Sequence, residues 1–326
     1  MKKLFLLLVL TIFVLAGCAP SSRKTTFTFA NAQWDSIMFH NAVMGTIIEE
    51  VFGYGWEELP GSTPITYEAL KSGEIDIYSE IWTDNLPSYL DDVANGRFEL
   101  LGLNFDDNAQ GLYVPRYVIE GDATRGIEPM APNLRTVSDL AQYWEIFEDQ
   151  EDPTKGRIYG AIPGWAVDEI LRNKMDHLGL NATFNYFSPG SDAALSAALS
   201  SAYERGEAVV GYYWEPTWLM GLYDFVLLED EPFSETGFMN GIGEFKSSDV
   251  TVGVRNGFSA EYPEVAEFLS KYSTSSTLTS AALSYIQETG ASSVEAAKWF
   301  ILQNKELVAT WLSADQFETL IKALES

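Results

Sequence analysis

The stretch Arg157-Ile-Tyr-Gly-Ala-Ile-Pro-Gly-Trp165, continued by Ala166-Val-Asp-Glu-Ile-Leu-Arg-Asn-Lys-Met-Asp-His177, decides the reading of this chain. An apolar, strand-like run meets Pro163-Gly164, stops on an indole, and gives way to residues with helical spacing. A strand feeding a helix through a tight turn is the repeating unit of open α/β sheets, which bind ligands at the carboxyl ends of their strands. The same punctuation recurs in Ala208-Val-Val-Gly-Tyr-Tyr-Trp214 and in Glu74-Ile-Asp-Ile-Tyr-Ser-Glu-Ile-Trp82. Three indoles at three strand ends predict an aromatic cage. Ring faces attract a cation whose charge is spread over methyl groups and which donates no hydrogen bonds.

Working outward, Phe27-Thr-Phe-Ala30 alternates like a first strand, and Trp34-Asp35-Ser36 leads into a helix over 37–51, with Asp35 or Ser36 available as N-cap. A strand within Gly53–Leu59, a helix over 65–71 and the Gly73 break precede the strand into Trp82. This alternation predicts a parallel sheet. Around Gly111–Val118 the chain crosses into a second βα unit, in which Ser138 caps one helix and Ser191-Asp192 another. After Tyr223–Glu229 it returns, and Val250-Thr-Val-Gly-Val254 supplies another strand to the first unit. Amphipathic segments over 263–272, 278–288, 293–312 and 314–324 read as packing helices. The fold expected is α/β in two lobes, each a βα sheet flanked by helices, with lobe 1 over 26–112 plus 228–326 and lobe 2 over 113–227.

The amino terminus predicts where such a cage works. Lys2 and Lys3 precede an apolar run from Leu4 to Leu15, too short for an ordinary membrane span. Leu15-Ala16-Gly17-Cys18 then matches the bacterial lipoprotein cleavage pattern. The expectation is a signal peptide over 1–17, lipidation of Cys18, and a tether over 18–25 holding the protein at a membrane, outside the cytoplasm. Cys18 is the single cysteine, so a disulfide, a thiolate metal cluster and a cysteine nucleophile are excluded from the fold. His40 and His177, the two histidines, are far apart in helical runs, so neither metal nor cofactor is expected. The chain carries 20 basic and 47 acidic side chains, a formal charge of −27. Removing Lys2 and Lys3 leaves 18 against 47, or −29. That field repels phosphate backbones, which excludes nucleic acid as a partner.

Trp34-Asp35-Ser36, Tyr67-Glu-Ala-Leu-Lys-Ser-Gly-Glu-Ile-Asp-Ile77 with Glu80-Ile-Trp82, Gly156–Trp165, Gly211-Tyr-Tyr-Trp214-Glu-Pro216 and Pro263-Glu-Val-Ala-Glu-Phe-Leu269 resemble the substrate-binding proteins of glycine betaine, choline and related quaternary-amine ABC importers. The resemblance spans nearly the whole chain after the signal. It implies a type II clamp of the kind found in periplasmic binding proteins, with the ligand between the lobes and a membrane permease as partner; a monomer is expected. It matches Trp82, Trp165 and Trp214 to the aromatic box, Trp34 and Asp35 to an early-loop contact, and Tyr113 to a contact at the crossover. The N–H groups of Ala166, Val167 and Asp168 at a helix N-terminus would favour a ligand carboxylate. Some betaine-binding members carry a histidine soon after the first box tryptophan, where this chain reads Thr83-Asp84-Asn85. Glu80, Asp84 and Glu215 also neighbour the tryptophans, but in so acidic a chain only Asp35 is held as a contact. Trp56, Trp144, Trp299 and Trp311 are expected to pack. Two other readings stay open at this level: an extracytoplasmic hydrolase using Glu80 and Asp84 as its acid and base, and a sensory lipoprotein that binds solute without transporting it.

Overall fold

The computed structural model describes residues 25–325, so the expected signal peptide, Cys18 and all but the last residue of the tether lie outside the described part. Two sheets carry the architecture. The first holds β1 (Thr26–Asn31), β2 (Gly55–Pro60), β3 (Ile77–Trp82), β4 (Glu99–Phe105) and, from much later in the chain, β11 (Val250–Val254). Their spatial order is β2-β1-β3-β11-β4. The second sheet holds β5 (Ala109–Pro115), β6 (Glu148–Asp149), β7 (Asp152–Tyr159), β8 (Phe184–Phe187), β9 (Gly211–Glu215) and β10 (Phe225–Leu227). Its order is β10-β5-β9-β7-β6, with β8 paired to β7. The chain passes from first sheet to second between Phe105 and Ala109 and returns between Leu227 and Val250.

The expected α/β class and two-sheet architecture are present, but neither sheet is wholly parallel. β1 pairs in parallel with β2 and β3, whereas β11 runs antiparallel to both β3 and β4. In the second sheet β7 is parallel to β8 and β9, while β5 is antiparallel to β9 and β10. β5 and β11 are the strands reached by the two passages between sheets, where no crossover helix enforces direction, and β6 turns back on β7 as a short antiparallel hairpin.

Local chemistry explains most helix limits and corrects several expectations. Helix Asp35–Ile47 starts at Trp34, an extended N-cap without a side-chain cap, because Ser36 turns inward to Glu80. Thr136, not Ser138, caps the 3-10 turn Val137–Gln142, through a capping box with Asp139. Ser191 caps helix Asp192–Arg205 as expected, accepting from the Ala194 N–H. The stretch over 293–312 is two helices, Ser293–Gln303 and Lys305–Trp311, interrupted where the Asn304 side chain bonds back to the Phe300 carbonyl at 2.9 Å. β7 ends at Tyr159, six residues before Trp165, which is the N-cap of helix Ala166–His177.

That gap is shaped by Gly160. A Cβ there would lie 1.9 Å from the Tyr186 ring, so only glycine lets the tyrosine through. The Tyr186 hydroxyl then accepts from the Ala161 N–H at 3.0 Å and donates to Asp168 at 2.9 Å. Both ends of the loop that presents Trp165 are thereby pinned. Below the first sheet, Phe29, Phe39, Tyr272, Phe300 and Trp311 build a core with the C-terminal helices. A second buried cluster runs from Ala30 and Trp82 of the first sheet to Tyr212 and Trp214 of the second, and so spans both.

Candidate functional site: an aromatic cavity between the sheets

On β3, residues 78, 80 and 82 share one face, and on β9 so do 212 and 214, because strand side chains alternate. Those five side chains, with Trp34, Trp165, Ala166 and Val167, line one cavity of about 520 Å3, part of it open to solvent. Trp34 comes from the first sheet's side and meets Trp165 from the second edge to face, ring centroids 5.9 Å apart at 88°. Trp165 meets Trp214 at 5.2 Å and 75°, and Trp82 is backed by Phe105 at 5.8 Å. Edge-to-face contacts hold each ring by its neighbour while leaving faces for a ligand. Trp82 and Trp214 are anchored in the core, at 8% and 4% exposure, whereas Trp165 is only half-buried.

Of the residues singled out in the sequence, Trp34, Trp82, Trp165, Ala166, Val167 and Trp214 are brought together here. Asp35 and Tyr113 are not among the lining residues. Asp35 accepts a hydrogen bond from Trp218, and burial raises its pKa. Tyr113 is buried in the second sheet, its hydroxyl donating to Glu215 at 3.3 Å. Asp84 also points elsewhere, to an ion pair with Lys246 at 3.3 Å. Trp56 packs on Phe29, Trp299 stacks on Tyr285, and Trp311 is buried against Tyr272.

Tyr212, Tyr78, Thr63, Ile81, Asn85 and Leu86 line the cavity without having been singled out in the sequence, and Glu80, named there but not held as a contact, lines it too. The alternation rule places Tyr212 and Glu80 on the cavity face, since each lies two residues before a tryptophan on its strand. Tyr212 stacks on Trp214 and donates to Gln110 at 2.9 Å; Gln110 also accepts from Asn85 at 3.4 Å, linking the two sheets beside the cavity. Glu80 is fully buried. Its Oε1 accepts from Ser36 Oγ at 2.9 Å and from the Trp82 indole N–H at 3.0 Å. Desolvation pushes its carboxyl up to about 7, with the Trp34, Ser36 and Trp82 donors pulling the other way. The Trp34 N–H lies close enough to pull the Glu80 carboxyl down but closes no hydrogen bond of normal geometry, and it and Oε2 are each left without a partner.

The remaining polar resource is the start of helix Ala166–His177. No side chain caps it, and the N–H groups of Ala166 and Val167, its first two residues, have no partner within the helix. Ala166 and Val167 line the cavity beside Trp165, so these donors and the helix dipole favour an anionic group there. Nearby, Asp192 is pushed up to about 7 by burial, and Asp35, from the other lobe, adds a like charge. Among the described residues no group of three or more His, Cys, Asp or Glu side chains is placed to hold a metal ion. No described helix is long and apolar enough to cross a membrane.

Comparison with known proteins agrees in one direction. A family model described as the substrate binding domain of ABC-type glycine betaine transport system matches residues 25–303. The trimethylamine N-oxide-binding protein of Pelagibacter ubique (strain HTCC1062) is 23% identical over 319 residues, 94% of this chain and 98% of that protein. The glycine betaine, L-proline-binding protein ProX from Borrelia burgdorferi superposes with a TM-score of 0.71 at 21% identity, covering 91% of this chain and 100% of that one. Lactococcal OpuAC, closed on glycine betaine, superposes with a TM-score of 0.68 at 22% identity, covering 88% and 99%. These two structures share the two-lobed type II binding-protein fold seen here.

Proposed function

The chain belongs to the family of substrate-binding domains of ABC-type glycine betaine transport systems, and from that premise we propose that it captures a methylated, permanently charged ammonium compound in the indole cage and presents it to an ABC permease. Members of this family are solute-binding proteins rather than enzymes, which sets the hydrolase reading aside. The observation that carries the proposal is the convergence of Trp34, Trp82, Trp165 and Trp214, drawn from both lobes, on one cavity with no lysine or arginine in its lining. Each ring is worth up to about 2 kcal/mol to a desolvated cation. Four together reach about 8 kcal/mol, the free energy of a micromolar complex. A ligand carboxylate, as in glycine betaine, has the Ala166 and Val167 N–H groups within the same cavity; a ligand without one, such as choline, uses the cage alone.

Titrating the protein with glycine betaine, choline and trimethylamine N-oxide is expected to change tryptophan fluorescence and raise the melting temperature. Ligand at about 100 times its dissociation constant adds about 2.7 kcal/mol to stability. No response to any methylated ammonium compound removes the reading. Such a protein works outside the cytoplasm, and the Leu15-Ala16-Gly17-Cys18 pattern supports the further proposal that it does so as a monomer held by a lipid on Cys18. Cells expressing Cys18→Ser are then expected to release the protein from the membrane fraction; retention there would remove the anchor.

A further inference from the structure

Glu80 is a fully buried carboxyl in the wall of a cavity that otherwise presents only rings, aliphatic groups and neutral polar side chains. Among the described residues no lysine or arginine forms an ion pair with it. Ser36 and Trp82 occupy Oε1 alone, and Oε2 has no partner. Two hydrogen bonds on one oxygen fix the direction of the carboxyl; the Trp34 N–H beside it closes no bond of normal geometry, so the second oxygen keeps an unmet demand for positive charge. The titratable groups facing it are Tyr78 from its own strand and Tyr272 after helix Pro263–Lys271. Both tyrosines are held neutral, their pKa values pushed up by burial. Behind Tyr272, His40 bonds its hydroxyl at 2.8 Å, and burial lowers the histidine to about 3, so it too is neutral. Among the described residues nothing supplies the missing cation.

We propose that Glu80 is the counter-charge of the cage, a specificity-determining residue that ionises when a permanently charged ammonium group arrives, so that ligand binding expels a proton. This rests on the quaternary-amine reading above. The rings attract the methyl-clothed face of the cation through quadrupole and dispersion, and would accept a neutral isostere nearly as well through dispersion alone. A carboxylate at one edge separates the two, because only the charged head offsets the cost of ionising it in a buried site. The sign follows from linkage. The free protein holds the Glu80 proton up to about pH 7, and a bound cation lowers that limit. Protons are therefore released in the window just below about pH 7, and affinity tightens as pH rises through it.

Calorimetric titration with choline, which has no carboxylate to confuse the count, tests this in buffers of different ionisation enthalpy between about pH 5.5 and about pH 8. The expected result is release of a substantial fraction of a proton per choline near pH 6 to 7, falling to none near pH 8. Glu80→Gln keeps an acceptor for Ser36 and Trp82; it is expected to abolish the release and weaken choline about tenfold or more near pH 8. The same variant is expected to bind 3,3-dimethylbutanol, the uncharged carbon isostere, as well as the unmodified protein does. Asp192→Asn controls for the other carboxyl that titrates near neutrality, and should leave the release intact. Choline binding without proton release, release that disappears in Asp192→Asn instead, or tighter binding at low pH each overturns the proposal. Should Glu80→Gln fail to fold, the buffer dependence of the unmodified protein decides alone. No binding of choline, glycine betaine or trimethylamine N-oxide at any pH is a different result, and overturns the quaternary-amine reading together with this one.

Discussion

Trp165→Ala is expected to weaken binding of glycine betaine or choline by about 30- to 100-fold while leaving the fold nearly as stable as before. The indole is the centre of the ring assembly, 5.9 Å from Trp34 and 5.2 Å from Trp214. Removing it takes away one ring face and the edge contacts that orient two others, about 2–3 kcal/mol by the usual cost of truncating a central aromatic anchor. Its own site is forgiving. Trp165 is half-buried, an N-cap that contributes no side-chain cap, and its loop is pinned independently by Tyr186. Trp82 and Trp214 would make poorer tests, since both are buried in the core and their loss confounds binding with folding. Calorimetric binding and a thermal melt on the same preparation separate the two effects. A dissociation constant within threefold of the unmodified protein's would show that the rings at 165 and its neighbours do not hold the ligand.

Lys174→Met is expected to do the reverse, costing about 3–5 kcal/mol of stability with little change in affinity. Lys174 lies on the helix that begins at the cavity, about 12 Å further along at ~1.5 Å per residue. Its ammonium is buried, donates to the Asp230 carboxylate, and donates to the Gly243 carbonyl at 2.8 Å. Asp230 and Gly243 both belong to the return path between β10 and β11. The pair therefore ties that path to the second lobe. Gly241, with φ +77°, packs so closely on this helix that a Cβ would lie 2.1 Å from the backbone nitrogen of Lys174. Methionine fills the space of the stem but leaves Asp230 charged without its partner. Urea unfolding reads the loss, and adding Asp230→Asn should recover part of it, because removing both charges costs less than stranding one. An unchanged midpoint for Lys174→Met would mean that the pair does not hold the return path.

How much of this was legible in advance depended on how local each signal was. The three strand-end indoles were readable because Pro163-Gly164 and the alternation in β3 and β9 act within a few residues. The same alternation puts Tyr212 on the cavity face and marks Glu80 as a wall residue, where the acidity of the chain had argued against holding it as a contact. β4 and β10 left no such mark, since their apolar residues are unevenly spaced and, apart from the buried Phe105 and Phe225, partly or well exposed. Thr136 took the capping role from Ser138 because the box with Asp139 needs a spacing that only Thr136 has. The early-loop stretch is divided: Trp34 reaches the cavity, while Asp35 is drawn to Trp218.

By itself the sequence determined the α/β class, the indoles on the strand ends, the helix start behind Trp165 and the repulsion of nucleic acid, since each follows from residues close in the chain or from total charge. Only the tertiary structure decided that β11 inserts between β3 and β4, that Trp34 meets Trp165 across the lobes, and that Glu80 ends buried without a cation. Those are outcomes of packing between segments tens to hundreds of residues apart, and the energy of burying a carboxyl depends on every group that surrounds it rather than on its neighbours in sequence.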